Sequence, residues 1–352
     1  MNLIYDNEVI RFGKDFPSLV RSFQSDPAKP LVVFFPGWAH LGRISYGYPD
    51  CNEEHFLAHW IIKRGYPFLA TSYPISHPIY AKLYPEFSLT DWGEMAAEIT
   101  TQVIEEGRLN KEVIGISWSA AGQVIRPYNV ACKSLGIKVL FHLGLESSPA
   151  LIIPSDRTSG MKTTTKGLVS LEESHYNLFW REIDEQNRLN AGVLIPKETY
   201  FKDFLGDIPV GLIGTNERFE HGQIVTDIEK SLEDKDFFAF KDYPLIASIS
   251  GESSLAPYHP FVDKWTWGFL TVRKIYHDFI NRNEDKLSKF SNSKFKELVD
   301  FVNELPDRLH KSIPGNHFLF LGKKGAKQVA EHVEHFDKEI ALIKRELKSL
   351  FS

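Results

Sequence analysis

Short apolar runs alternate with amphipathic segments along the first 146 residues of the chain. The runs end in turn-forming or polar residues, as expected for strands that are buried on both faces. They predict strands at 31–35, 68–73, 113–116 and 138–143. The amphipathic segments predict helices at 53–64, 90–107 and 118–133. This alternation indicates an α/β protein with a mostly parallel sheet covered by helices.

The alternation stops after Glu146 and returns only in parts. Residues 147–208 contain three prolines, a run of three threonines and one helical stretch, but no buried strand is evident. The remaining predicted elements are a strand at 208–214, helices at 265–281 and 293–304, a strand and turn at 310–321, and a helix at 324–350.

Ser117 stands where the third predicted strand meets the following helix, in the sequence Gly115-Ile116-Ser117-Trp118-Ser119. A serine held on a sharp strand-to-helix turn needs small neighbours, because the turn brings adjacent backbone into close approach. The N–H groups at the start of the helix also point toward such a serine. Ser117 is therefore the candidate nucleophile.

Two further motifs follow predicted strands. Pro36-Gly37-Trp38 ends the first strand, and Pro314-Gly315-Asn316-His317 lies in the last strand and turn, before the C-terminal amphipathic helix. Histidine is the side chain best suited to accept a proton near neutral pH. The chain has 13 histidines, however, and this chemistry alone does not single out His317 among them.

In these motifs and in their order along the chain, the protein resembles the α/β-hydrolase superfamily, whose nucleophile turn reads G-x-S-x-G. The resemblance implies an α/β-hydrolase fold in which Ser117 attacks a carbonyl and His317 takes its proton. It further implies that the backbone N–H groups of Trp38 and Trp118 form the oxyanion hole. Ser119 replaces the last glycine of the motif, and Pro36 replaces a histidine frequent at the earlier turn.

The acid that would orient His317 has three candidates. The resemblance favours Glu217, which comes three residues after Gly214 at the end of the strand predicted at 208–214. Glu146 follows the fourth predicted strand directly, and Glu252 follows another apolar run. The sequence leaves all three open.

The length of the chain, 352 residues, exceeds what one compact hydrolase domain requires. The resemblance implies a core made of residues 1–146, 209–217 and 307–352. It implies a lid or cap insertion at 147–208 and a second, mainly helical insertion at 218–306.

The function implied is that of a serine hydrolase or acyltransferase acting through an acyl-enzyme. The aromatic and aliphatic residues of 147–208 favour an ester or thioester of an apolar acyl group, either small or carrier-bound. Two alternatives are a catalytically silent hydrolase-fold protein that binds a ligand or partner, and a lyase or cyclase that uses the same triad.

Composition excludes several other classes. Lys and Arg number 41 against 46 Asp and Glu, with no basic run, which argues against nucleic acid as a partner. The N-terminus lacks the pattern of a signal peptide, and no apolar stretch is long enough to span a membrane, so we expect a cytoplasmic protein. Cys51 and Cys132 are expected to be free thiols.

We expect neither a metal nor a cofactor. His55 and His59 are spaced like helical zinc ligands but lack the glutamate of H-E-x-x-H, as do His332 and His335. Glycine-rich phosphate-binding loops are also missing from the sequence. In the C-terminal helix, apolar residues recur at steps of three and four, which predicts packing along its own domain, with a homodimer seam as the alternative.

Overall fold

The computed structural model describes residues 3–150, 161–164 and 166–352. The strands, in chain order, are β1 (Glu8–Gly13), β2 (Phe16–Phe23), β3 (Leu31–Phe35), β4 (Phe68–Ala70), β5 (Glu112–Trp118), β6 (Lys138–Leu145), β7 (Lys162–Thr163), β8 (Leu168–Ser170), β9 (Ile208–Pro209), β10 (Glu217–Glu220), β11 (Gln223–Thr226), β12 (Ile246–Ser250) and β13 (His310–Ser312). The α-helices are α1 (Leu57–Lys63), α2 (Leu89–Gly107), α3 (Ile125–Ser134), α4 (Tyr176–Leu189), α5 (Lys197–Asp203), α6 (Ile228–Lys235), α7 (Tyr258–Ile275), α8 (Glu284–Leu287), α9 (Asn292–Arg308) and α10 (Lys323–Leu350).

Eight strands form the central sheet in the order β1-β2-β4-β3-β5-β6-β12-β13. The first three strands pair antiparallel, and the others pair parallel. All five residues of β3 are buried, which explains why its sequence is apolar without alternation. The predicted mostly parallel sheet covered by helices is confirmed. Its parallel strands place their carboxyl ends along one edge, where the candidate site lies.

The strand predicted at 208–214 is not part of this sheet. Only Ile208–Pro209 is extended there, in a small sheet with β7 and β8, and Val210–Ile213 forms a 3₁₀ helix. Proline lacks the N–H that a central strand must donate, which disfavours Pro209 in that role. The central position beside β6 is taken by β12, which is fully buried. The segment 209–217 therefore contributes no strand to the central sheet, whereas 218–306 contributes one.

Helix α10 covers the sheet with the apolar stripe seen in the sequence. The side chains of Val329, Val333, Phe336 and Ile343 are fully buried within the chain. The packing of this helix along its own domain is therefore confirmed, and a homodimer stays an untested prediction. Cys51 and Cys132 are free, as expected. No helix in the described part of the chain combines the length and apolarity needed to cross a membrane.

Candidate active site

A strained serine marks the turn between β5 and the helix that follows it. This residue is Ser119, whose φ of +57° lies in the left-handed region that non-glycine residues rarely adopt. Residues Ser119–Val124 form a 3₁₀ turn that leads into α3. A Cβ on Gly37 would lie 2.7 Å from the Cβ of Ser119, so only glycine fits opposite this serine. Such strain in a serine at a strand–helix turn is typical of a nucleophile.

Ser117 lies two residues earlier, inside β5 rather than at the turn. It is fully buried and pairs in the sheet with Phe35 and Gly144. Its Oγ lies 3.3 Å from Nδ1 of His142, a fully buried histidine whose pKa burial lowers to about 3. The glycine at 115 is needed by this pair, because a Cβ there would collide with the His142 ring. Ser117 is thus closed off from substrate.

His317 follows β13 and comes to the turn from the far edge of the sheet. The indole Nε1 of Trp118 donates a hydrogen bond to the His317 carbonyl oxygen at 2.7 Å, and the two rings lie 5.3 Å apart. Asn316 fixes the same loop by donating from Nδ2 to the Glu182 carbonyl oxygen and to Glu185 Oε2, both at 2.7 Å. Burial lowers the pKa of His317, and the neighbouring Glu146 carboxylate opposes that shift. The neutral imidazole is therefore favoured near pH 7.

Glu146 is the acid that contacts His317. It directly follows β6, is fully buried, and has a φ of +42°. Its Oε1 accepts a hydrogen bond from the backbone N–H of Gly251, which follows the neighbouring strand β12. Its Oε2 lies 3.6 Å from Nδ1 of His317. The carboxylate is thus held by one oxygen and faces the imidazole with the other.

The other two acid candidates lie apart from His317. Glu217 begins β10 in a separate two-stranded hairpin, and its backbone N–H donates to Oγ1 of Thr215 at 3.2 Å. Glu252 is exposed, and its backbone N–H donates to the Gly315 carbonyl oxygen at 2.9 Å. Among the described residues, no contact joins either carboxylate to His317. The acid favoured by the sequence therefore differs from the one that the fold brings to the histidine.

The two tryptophans expected to supply oxyanion donors occupy different positions. Trp38 lies in the turn after β3, and its indole Nε1 donates to the Leu212 carbonyl oxygen at 2.9 Å. Trp118 is the last residue of β5 and precedes Ser119. Ala120 is the residue that follows Ser119, at the start of the helical turn, where backbone N–H groups lack partners within the helix.

A pocket of about 320 Å³ opens above this turn. Ser119, His317, Trp38 and Ala120 line it together, whereas Ser117 and Glu217 are not among the described residues that do. The rest of the wall comes mainly from apolar and aromatic side chains of α4, of the segment before α7, and of α7 itself. The pocket thus brings Ser119 and His317 together, and the buried Glu146 carboxylate contacts His317 from outside the pocket wall. A serine, a histidine and a carboxylate are the groups that acyl-transfer chemistry uses.

A second histidine–carboxylate pair borders the same pocket. The ring of His259 stacks on that of His317 at 5.2 Å, and its Nδ1 lies 2.9 Å from Asp263 Oδ1. Burial acts to lower the pKa of His259, but the hydrogen bond and charge of Asp263, with Glu146, raise it on balance. Burial also raises the pKa of Asp263, to about 6.

Three of these groups offer donor atoms for a metal ion. One atom each from Glu146, His259 and His317 lie within 4.8 Å of one another. Ligand atoms around a tetrahedral zinc lie about 3.3 Å apart, which is inside this 4.8 Å limit. The histidine pairs at 55/59 and 332/335 do not belong to this group.

The sequence did not identify Ser119 or His259, and it favoured Glu217 over Glu146 as the acid. The sequence did contain a sign of Ser119. The motif requires a serine with a small residue two positions before it and another two positions after it. Ser119 meets this requirement with Ser117 and Ala121, just as Ser117 meets it with Gly115 and Ser119. Only the end point of β5 decides between the two frames. Nothing in the local sequence marks His259.

The comparisons with known proteins show the fold. No family model matches the chain, and no curated protein matches it. Among solved structures, Est816, described as an N-acyl homoserine lactone degrading enzyme, is 11% identical with a TM-score of 0.50, over 93% of this chain and 100% of that one. An AqdC variant that cleaves the ring of the Pseudomonas quinolone signal is 12% identical with a TM-score of 0.49, over 95% and 99%. The chain has the α/β-hydrolase fold.

Proposed function

We propose that this protein is a serine hydrolase or acyltransferase whose triad is Ser119, His317 and Glu146. The observation that carries the proposal is the strained Ser119 at the end of β5, lining one pocket with a histidine that is backed by a buried carboxylate. These assignments replace Ser117 with Ser119 and Glu217 with Glu146, and they keep His317.

The roles follow from the chemistry of each group. Oγ of Ser119 attacks the carbonyl carbon of an ester or thioester while His317 accepts its proton. The Glu146 carboxylate holds the proton on Nδ1 of His317 and stabilises the imidazolium that forms. His317 then protonates the leaving group, and water or another nucleophile attacks the acyl-enzyme in the same way to release the acyl group.

The oxyanion that develops requires two donors that need no reorganisation. We assign the backbone N–H groups of Trp38 and Ala120, in place of Trp38 and Trp118. Ala120 follows the proposed nucleophile and Trp38 borders the same pocket, which supports this pair. The N–H of Trp118 belongs to the strand that precedes Ser119.

The acyl group is proposed to be apolar. Most side chains that line the pocket are aliphatic or aromatic, among them Leu178, Phe179, Ile213 and Leu255. Burying such surface favours apolar groups of a substrate over a sugar or a nucleotide.

Labelling with a fluorophosphonate probe tests the proposal. The wild type should form a stable adduct on Ser119, located by peptide mass spectrometry, and Ser119→Ala should not label. Ser117→Ala is the matched control, since it removes a hydroxyl two residues away and should still label.

Two outcomes would overturn the assignment. Labelling that persists in Ser119→Ala and disappears in Ser117→Ala would return the nucleophile to Ser117. A wild type that does not label, and that hydrolyses none of a panel of p-nitrophenyl esters and acyl thioesters, would favour the silent hydrolase-fold protein.

A further inference from the structure

Helix α4 and the residue that precedes it present one continuous face to the pocket. His175, Leu178, Phe179 and Glu182 all line it, at the spacing of three and four that aligns residues on one side of a helix. Three of the four are apolar or aromatic. Glu182 is the only carboxylate among the described residues of the pocket wall.

Glu182 is buried without a partner for its second oxygen. Its side chain is 3% exposed, and Oε2 has no hydrogen-bond partner among the described residues. An isolated carboxylate is unfavourable in such surroundings unless it is protonated or paired with a cation. Burial, together with the negative charges of Glu146 and Glu185, raises the pKa of Glu182 to about 8, against a smaller opposite effect of Arg181. The position therefore favours a positive charge beside the carboxyl group.

Aromatic rings line the same pocket as Glu182. The ring centroid of Trp38 lies 6.2 Å from that of His175, which lies 5.8 Å from that of Phe179. Tyr258 lines the pocket with them. Ring faces attract ammonium groups, most strongly where water is excluded. Within the described ranges neither a lysine nor an arginine lines the pocket, and the charge of His259 is balanced by Asp263.

We propose that the pocket recognises a substrate that carries an ammonium group, bound between Glu182 and the rings of Trp38, Phe179 and Tyr258. This inference rests on the proposed function, because it names the substrate class for the same pocket. The apolar part of the substrate lies along the remaining wall, and the scissile carbonyl reaches Ser119.

The test measures binding, so that it does not depend on turnover. Choline and 3,3-dimethylbutan-1-ol have nearly the same shape and differ in charge, and a quaternary ammonium keeps its charge at every pH. Their affinities are measured by calorimetry at pH 9, with EDTA present to remove divalent ions from Glu146, His259 and His317. The proteins are the wild type and Ser119→Ala.

We expect choline to bind at least about tenfold more tightly than the neutral alcohol in both proteins. Glu182→Gln keeps the shape of the side chain and should bring the two ligands within about threefold of each other. Asp184→Asn is the matched control, because it removes one negative charge from an exposed position on the same helix, and it should keep the preference. Thermal unfolding of each variant reports its folding.

Equal affinity for the two ligands in a folded wild type would overturn the inference, as would a preference for choline that survives Glu182→Gln. The two proposals fail separately. A choline preference in a protein that no fluorophosphonate labels would keep the ammonium site and reject the hydrolase, and labelling of Ser119 without any choline preference would do the reverse.

Discussion

Replacing Glu146 by glutamine tests the electrostatic part of the proposed mechanism. The carboxylate oxygen that faces His317 lies 3.6 Å from Nδ1. At an effective dielectric constant of about 20, a unit charge at that distance stabilises the imidazolium by about 4.6 kcal/mol. Glutamine removes this charge, so kcat should fall on the order of 10³-fold. The amide oxygen can still accept the hydrogen bond from Gly251, so the fold should persist.

The assay is hydrolysis of the best p-nitrophenyl ester under saturating conditions, with thermal unfolding as the folding control. Glu217→Gln serves as the matched comparison, because it makes the same change at the other acid candidate, and its kcat should stay within about twofold of the wild type. Two results together would refute the reasoning. They are a loss in kcat of less than about tenfold in a folded Glu146→Gln protein, and a far larger loss in kcat in Glu217→Gln.

Three further outcomes are expected. Gly37→Ala places a methyl group 2.7 Å from the Cβ of Ser119. It should lower kcat/KM more than about tenfold and the free energy of unfolding by about 1–3 kcal/mol. An unchanged kcat/KM would contradict the close approach of the two residues. The pKa of His317 is lowered from 6.5 by burial, and its protonated form cannot act as a base. The midpoint of the acid limb of kcat/KM should therefore lie below pH 6.5, and a midpoint above pH 7 would show that the shift has the opposite sign. Ile343→Ala should lower the free energy of unfolding by about 2–5 kcal/mol in guanidinium titrations, while Leu342→Ala, at a half-exposed neighbouring position, should lower it by less than about 1 kcal/mol.

The parallel part of the sheet could be predicted because a strand that is buried on both faces has a continuous apolar sequence. Strand β3 and the middle of β5 are continuous apolar runs, which few other structures produce. Strand β12 was missed because Ser248 and Ser250 interrupt its apolar pattern, although both serines are buried. The hairpin of β1 and β2 was missed for a related reason, since exposed and buried positions in β1 do not alternate cleanly.

The active site could be predicted only as far as local sequence determines it. His317 was found from its motif, but the choice between Ser117 and Ser119 depends on where β5 ends, and both frames have small flanking residues. Glu146 and His317 are brought together by the order of β6, β12 and β13 in the sheet. No spacing along the chain carries that information, so Glu217 was as reasonable a choice as Glu146.

The loop that bears His317 and the pocket wall formed by α4 are fastened to each other. Asn316 donates to the Glu182 carbonyl oxygen and to Glu185, and it accepts a hydrogen bond from Gln186 at 3.1 Å. If α4 swung outward to widen the pocket, it would pull this loop along or break all three hydrogen bonds. If the loop followed the helix, the imidazole would move away from the Glu146 carboxylate. A pocket widened together with this loop would therefore also lose its base.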